Sequence, residues 1–428
     1  MSGYHWETVS DAALEETYYR CKHPSGLEIQ VCPKPGYSSA YAVFSTKYGS
    51  IDTNIVHADG SVTKIPEGTA HFLEHKLFES EEQDAFERFS KTGASANAYT
   101  SFDKTAYEFT CSAHFEENLE ILLDFVQSPY FTQATVDKEQ GIIGQEIRMG
   151  LDSPGREVFY GLMGLLYPGQ PVSIEIAGTE ESIAKITAQL LYDCYAHYYN
   201  LHNMVLCVAG NVTLEQVAAV ADRLLKPAQG ELARRKPLRE ESFPSAATAR
   251  KAMEVTIPTF TLGCKEAMRD CELSIEEMTL ADLVLDVLAG EASPLYEQLL
   301  GEGLIGAGFS SGLFSGWCYS CALFEGESKR PELAARRIQD VMLQAANEGL
   351  DAEAFERARR KAYGRLLMAC NDIDDTANGM ADAFFSGDDY YARARVLREA
   401  TLEAANRRAG ELFRPENFAL SIIEPIKR

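Results

Sequence analysis

The sequence predicts an α+β fold: two similar domains, each a mainly antiparallel sheet covered by helices. Three observations predict it. Short apolar runs that alternate with period two are interleaved with longer runs at helical spacing. That order of runs occurs twice along the chain. Between the two occurrences lies a polar stretch, Lys226-Pro-Ala-Gln-Gly-Glu-Leu-Ala-Arg-Arg-Lys-Pro-Leu, without periodicity. At 428 residues the chain also exceeds what one core normally organises. The expected division is a first domain over 1–225, a linker over 226–250, and a second, homologous domain over 251–428.

Taken in order, residues 1–20 read as a short helical lead-in. Residues 26–32 and 40–45 alternate as strands, with a Lys34-Pro-Gly-Tyr37 turn between them. Pro66-Glu-Gly is a break. Residues 83–90 read as a helix stopped near Gly93, 94–101 as a small-residue extended run, and 105–111 as another strand. Helical spacing follows over 117–126, 134–149 and 179–199. A strand is expected over 203–209 and a helix over 214–225. In the second half, strands are expected over 253–262, 306–313, 317–324 and 418–423. Helices are expected over 276–288, 332–346, 352–368 and 392–412.

A formal charge of −24 argues against nucleic acid and against an anionic membrane as partners. No apolar run approaches the length of a bilayer span. The first residues lack a basic segment followed by an apolar one, so a cytoplasmic protein is expected. The ten cysteines are scattered, and most of them read as reduced core residues. Cys318 and Cys321 fall in one strand-like run, where i and i+3 point to opposite faces, so no metal or redox role is assigned to them.

The chemistry concentrates in Gly68-Thr-Ala-His-Phe-Leu-Glu-His-Lys-Leu-Phe78. His71 and His75 are four apart and share one helix face, so both imidazoles can reach one ion. Imidazole nitrogen suits zinc. Glu74 edges onto the same face, where a carboxylate can serve as base toward an activated water. With 8 His and 64 Asp plus Glu in the chain, such a motif is expected roughly 0.02 times by chance. The plain alternative is an amphipathic helix whose core face is Phe72, Leu73, Leu77 and Phe78. Two His leave a tetrahedral zinc short of a protein donor. The helix over 136–149 offers Glu139 and Glu146, two turns apart on one face.

H-x-x-E-H is the inverzincin signature. Together with the two downstream Glu it resembles the pitrilysin, insulysin and mitochondrial processing peptidase family, in its YmfH-like bacterial branch. The segments Ser95–Tyr107, Ile176-Ala-Gly-Thr179, residues 198–204 and Ala289–Leu300 also resemble that family. The resemblance implies half of a clam-shell chamber for a peptide substrate, with Zn2+ held by His71, His75 and Glu146. It implies that Glu139 supports the site from behind, and that Glu74 is the catalytic base. Asn97 and Ala98 would bind an extended peptide along an edge strand.

One departure stands out. Active members of the family it resembles usually carry an Arg and a Tyr in a second domain, in a stretch like L-R-x-x-x-L-x-Y; the similar stretch here, Leu299–Gly306, has Leu300 and Gly306 at those places. The expected arrangement is therefore a heterodimer, a related family subunit supplying that pair. The competing reading is a non-catalytic binding or assembly subunit of the same fold, with structural zinc or none.

Overall fold

The computed structural model describes residues 5–57, 59–81, 84–228, 230, 232, 234–235, 243–267 and 271–426. Two compact units emerge. One comprises Met1–Ile147, Glu175–Lys236 and Leu367–Tyr391; the other comprises Arg148–Ile174, Pro237–Leu366 and Ala392–Arg428. The units therefore do not follow the linear halves expected from 1–225 and 251–428. Residues 148–174 belong to the second unit, and 367–391 to the first. Within the 226–250 stretch, residues 229, 231, 233 and 236–242 lie outside the described residues, and a strand already starts at Thr248.

The first unit is built from β1 (Glu7–Asp11), β2 (Glu16–Lys22), β3 (Glu28–Pro33), β4 (Ala40–Thr46), the small hairpin β5 (Asn54–Val56) and β6 (Val62–Lys64), β7 (Ser95–Thr100), β8 (Thr105–Cys111) and β9 (Met204–Gly210). Its main sheet runs β1-β2-β3-β9-β4-β8-β7. β3 and β9 are parallel; the other neighbours are antiparallel. β7 is thus an edge strand.

The helical lead-in expected over 1–20 is instead the β1–β2 hairpin. Asp11 Oδ1 accepts from the backbone of Ala13 and Leu14, and Glu15 takes a left-handed conformation, so the side chain itself closes the turn. The helix expected over 179–199 divides into Glu180–Ile183 and Ala188–Tyr198, because Thr179 and Thr187 each cap a new start.

The second unit holds β10 (Thr248–Met253), β11 (Thr259–Lys265), β12 (Ser310–Gly316), β13 (Tyr319–Glu327) and β14 (Phe418–Pro425), ordered β10-β14-β11-β13-β12. The strand expected over 253–262 is two strands, β10 and β11, and the helix expected over 392–412 divides at Ala400–Thr401. Cys318 lies in the turn between β12 and β13 with φ +63°, so Cys318 and Cys321 do not share a strand.

The pairing scheme of β10–β14 repeats that of β3, β4, β7, β8 and β9. In each sheet the first of these strands pairs parallel with the last, the last pairs antiparallel with the second, and a hairpin completes the edge. The match extends to atoms. Asn203 Nδ2 donates to the Lys47 carbonyl at 3.2 Å, and Asn417 Nδ2 donates to the Lys265 carbonyl at 2.8 Å. Lys47 Nζ donates to the Phe385 carbonyl at 2.8 Å; Lys265 Nζ donates to the Leu166 carbonyl at 2.6 Å. Both acceptors lie at the C-terminal end of a helix, where free carbonyls favour a cation. Two similar domains are therefore present, as the repeated order of runs predicts.

Those two helices were not anticipated. Ile373–Ser386, from late in the chain, packs on β9, β4 and β3 of the first unit, and Pro154–Leu166 packs on β14, β11 and β10 of the second. In the first unit Tyr99 Oη donates to Asn378 Oδ1 at 3.0 Å, Asn378 Nδ2 donates to Tyr41 Oη at 2.9 Å, and Lys104 pairs with Asp382. No helix among the described residues is long and apolar enough to cross a membrane.

Candidate metal centre and active site

The motif helix spans Thr69–Leu77, and its Phe72, Leu73 and Leu77 are buried in the first unit's core. Its start is fixed by two glycines. Gly68 has φ +87°, and a side chain there would put a Cβ 2.4 Å from the Ala177 carbonyl oxygen. Gly178 has φ +76°, and a Cβ there would lie 2.5 Å from the Glu67 carbonyl oxygen. Ser182 Oγ donates to that same Glu67 oxygen at 2.8 Å. The Ile176-Ala-Gly-Thr179 segment therefore seats the motif helix by close backbone approach that only glycine allows.

The second contributor is the helix Gln133–Leu151, carrying Glu139 and Glu146 on one face. His71 Nε2 and His75 Nε2 each lie 3.8 Å from Glu146 Oε2, and the two imidazole centroids are 4.6 Å apart. Donor atoms of His71, His75 and Glu146 all lie within 4.8 Å of one another. His75 Nδ1 meets Glu139 Oε1 at 3.0 Å. That bond commits Nδ1 and turns Nε2 toward Glu146.

Glu146 is 42% exposed at its side chain and Glu139 only 9%, so the outer carboxylate faces solvent while the inner one is enclosed. Burial alone would lower the His75 pKa, but the Glu139 hydrogen bond and the charges of Glu74, Glu146 and Glu139 outweigh it and leave the pKa raised. Burial alone would raise the Glu139 pKa; the bond from His75 and that ring's charge leave it lowered.

Glu74 is only 8% exposed. Burial raises its pKa, against the lowering effects of Thr100 and His75, and the nearby Glu146 charge adds to the rise. Thr100 Oγ1 donates to Glu74 Oε2 at 2.7 Å. Asn97 and Ala98 lie in the middle of edge strand β7: Asn97 is exposed and its Nδ2 lies 3.4 Å from Glu108 Oε1, while Ala98 turns to the opposite face and packs on the core. Sequence reasoning did not single out Thr100, Gly68 or Ser182. The glycine directly ahead of the first helical residue was the available signal for Gly68; Thr100 sits inside the extended run with no spacing signal of its own.

Residues 56–180 match the family model "Insulinase (Peptidase family M16)", and residues 185–362 match "Peptidase M16 inactive domain". The uncharacterized zinc protease YmfH of Bacillus subtilis is 40% identical over 405 residues, covering 91% of this chain and 92% of that protein. The chain belongs to peptidase family M16. An M16-like peptidase from Alicyclobacillus acidocaldarius has a crystal structure similar to this one, with a TM-score of 0.91, 35% identity, and coverage of 100% of this chain and 99% of that one. Pitrilysin shares the fold at a TM-score of 0.76 and 15% identity; the match spans 99% of this chain and 47% of pitrilysin. The M16 fold thus carries the His71, His75 and Glu146 group in the segment that matches the insulinase model.

Proposed function

We propose that this M16 chain is a zinc metalloendopeptidase subunit that hydrolyses peptides or unfolded segments. The observation that carries the reading is the convergence of His71, His75 and Glu146, with the enclosed carboxylate of Glu74 one residue before His75 on the same helix. The donor set suits zinc. Bond lengths near 2.1 Å in a tetrahedron separate neighbouring donors by about 3.4 Å, and both imidazole nitrogens stand 3.8 Å from the Glu146 oxygen. Side-chain adjustment of a few tenths of an ångström closes that difference for the two His–Glu pairs, and all three donors already lie within 4.8 Å of one another. Three protein donors also leave a fourth position open, the pattern of a reactive rather than a structural site.

When bound, Zn2+ would supply an acidified water and a polarised carbonyl. The chain's own residues do the rest. Glu139 holds His75 in one tautomer and one orientation. Glu74 takes the water's proton and passes it to the departing amine. The free edge of β7 accepts an extended peptide by main-chain hydrogen bonds, with Asn97 and Ala98 beside the backbone. Leu300, on the helix Pro294–Gly301, and Gly306 replace an Arg and a Tyr that would stabilise the oxyanion. A related subunit supplies that pair in a heterodimer, in the cytoplasm, and this chain alone is slower by around a hundred- to a thousand-fold.

The same replacement favours a second reading, a non-catalytic assembly subunit. One experiment separates them. The purified chain is assayed on quenched peptides alone and with a related family subunit, with and without chelator, as wild type and as Glu74→Gln. Chelator-sensitive cleavage lost in Glu74→Gln supports the peptidase reading. No cleavage in any combination, or cleavage surviving Glu74→Gln, supports the alternative.

A further inference from the structure

Thr100 is the last residue of β7, in register with Thr105 of β8. It lies on the same face as Ala96 and Ala98, which pack toward the core and the motif helix. We infer that Thr100 is a positioning residue: its hydroxyl fixes the Glu74 carboxylate in the orientation that presents the second oxygen to the attacking water. The inference rests on the peptidase reading above.

The proton inventory supports it. Thr105 Oγ1 donates to the Tyr48 carbonyl at 2.8 Å, so its proton is committed. Thr100 Oγ1 lies 3.5 Å from Thr105 Oγ1 and 2.7 Å from Glu74 Oε2, so the Thr100 proton goes to the carboxylate. One bond pins Oε2 and leaves Oε1 for water. A glutamate has three rotatable side-chain bonds, and without that tether the buried carboxylate would lose both its aim and its donor.

Thr100 is itself rigid. Ser101 N donates to the Lys104 carbonyl at 2.8 Å, closing the turn that follows it. Ser50 N and Ile51 N donate to the Ser101 and Phe102 carbonyls at 3.0 and 3.1 Å. Arg235 then ties the two loops together, donating to Asp52 Oδ2 at 2.7 Å and to the Asp103 carbonyl at 2.6 Å. The tether to Glu74 therefore comes from a braced hairpin rather than from a loose loop. It also comes from the strand offered to the peptide, so docking along β7 and aiming the base share one element.

The test compares wild type, Thr100→Val, Thr100→Ser and Glu74→Gln. Zinc content is measured for each, together with steady-state cleavage of a quenched peptide by the zinc-loaded protein in the subunit composition that cleaves. Metal-free crystals of Thr100→Val report the Glu74 side chain independently of activity. Thr100→Val is expected to keep one zinc per chain and an unchanged KM, to lose kcat by roughly 10- to 100-fold, and to release the Glu74 carboxylate from its rotamer. Thr100→Ser should restore kcat. A wild-type kcat in Thr100→Val, a loss not recovered by Ser, or a Glu74 rotamer that stays put would overturn the inference. Cleavage that survives Glu74→Gln would instead remove the peptidase reading beneath it.

Discussion

Replacing Glu139 tests how the site is held before any substrate arrives. Its carboxylate makes one charge-assisted hydrogen bond, Oε1 to His75 Nδ1 at 3.0 Å, and with 9% side-chain exposure water has little room to replace it. Partners of this kind are typically worth about 10- to 100-fold in metal affinity, or about 1.4–2.7 kcal/mol. Glu139→Gln keeps a neutral acceptor and loses only the charge, so about tenfold is expected. Glu139→Ala removes the acceptor, so about 100-fold is expected. Glu146→Gln removes a donor to the ion itself and should weaken zinc beyond either. The assay is competition for Zn2+ against a chromophoric chelator at fixed pH. If Glu139→Ala binds zinc as wild type does, or if Gln weakens binding more than Ala, the His75 orientation does not depend on Glu139 and the argument fails.

Three further outcomes follow from the same geometry. Zinc affinity should fall as pH falls, because zinc must displace the His75 proton; with that pKa raised above 6.5, the decline begins at higher pH than for an ordinary His and approaches about tenfold per pH unit. Titrations at several pH values check this, and a flat profile down to the ordinary His range would contradict it. Gly68→Ala should destabilise by at least ~1–2 kcal/mol from its φ of +87° alone, with the 2.4 Å approach to Ala177 adding to that; thermal melts should show a drop of several degrees. A fragment of residues 1–235 lacks Leu367–Tyr391 and should not melt cooperatively, whereas attaching that segment through a linker should restore the transition; a cooperative melt of the bare fragment would show the late helix to be dispensable.

The fold class and the spacing of the candidate donors were legible in the sequence, while the order in which the segments assemble was not, for physical reasons. His71, His75, Glu139 and Glu146 lie at helical spacings within two helices, and spacing is what a sequence displays directly. Thr100 reaches Glu74 only because β7 runs beside the motif helix, a tertiary fact with no local mark. The β1–β2 hairpin carries no Gly or Pro to announce it, because the turn between the strands relies on the Asp11 side chain. The late helix did leave a trace. β4 and β9 are apolar at consecutive positions, and Val43, Val205, Cys207 and Ala209 are fully buried on the face opposite Phe44, Leu206 and Val208. A strand apolar on both faces requires a second covering layer. Nothing local, however, says that the layer comes from residues 373–386.

The repeated frame sets off what differs between the two domains. Both sheets share strand order, a lysine that anchors the end of a covering helix, and an asparagine that holds the lysine's carbonyl; these are requirements of folding, and both copies keep them. The segment between the second and third shared strands is where the copies part. In the first unit it holds the β5–β6 hairpin and then the motif helix, which opens on Gly68 and carries His71 and His75 toward Glu146. In the second it holds Pro294–Gly301 and, before it, Ile275–Ala289, which is capped by Ser274 and buried through Leu280, Leu283, Val284 and Val287, with no imidazole along its length. A helix that is apolar on most sides stabilises a core but cannot hold an ion; a helix that gives one face to polar donors gives up some of that burial. One copy can afford the loss because the frame around it is set by residues outside that helix. Fold and candidate site are thus separable in this chain: His71, His75 and Glu146 converge on a scaffold that the sister domain maintains without them.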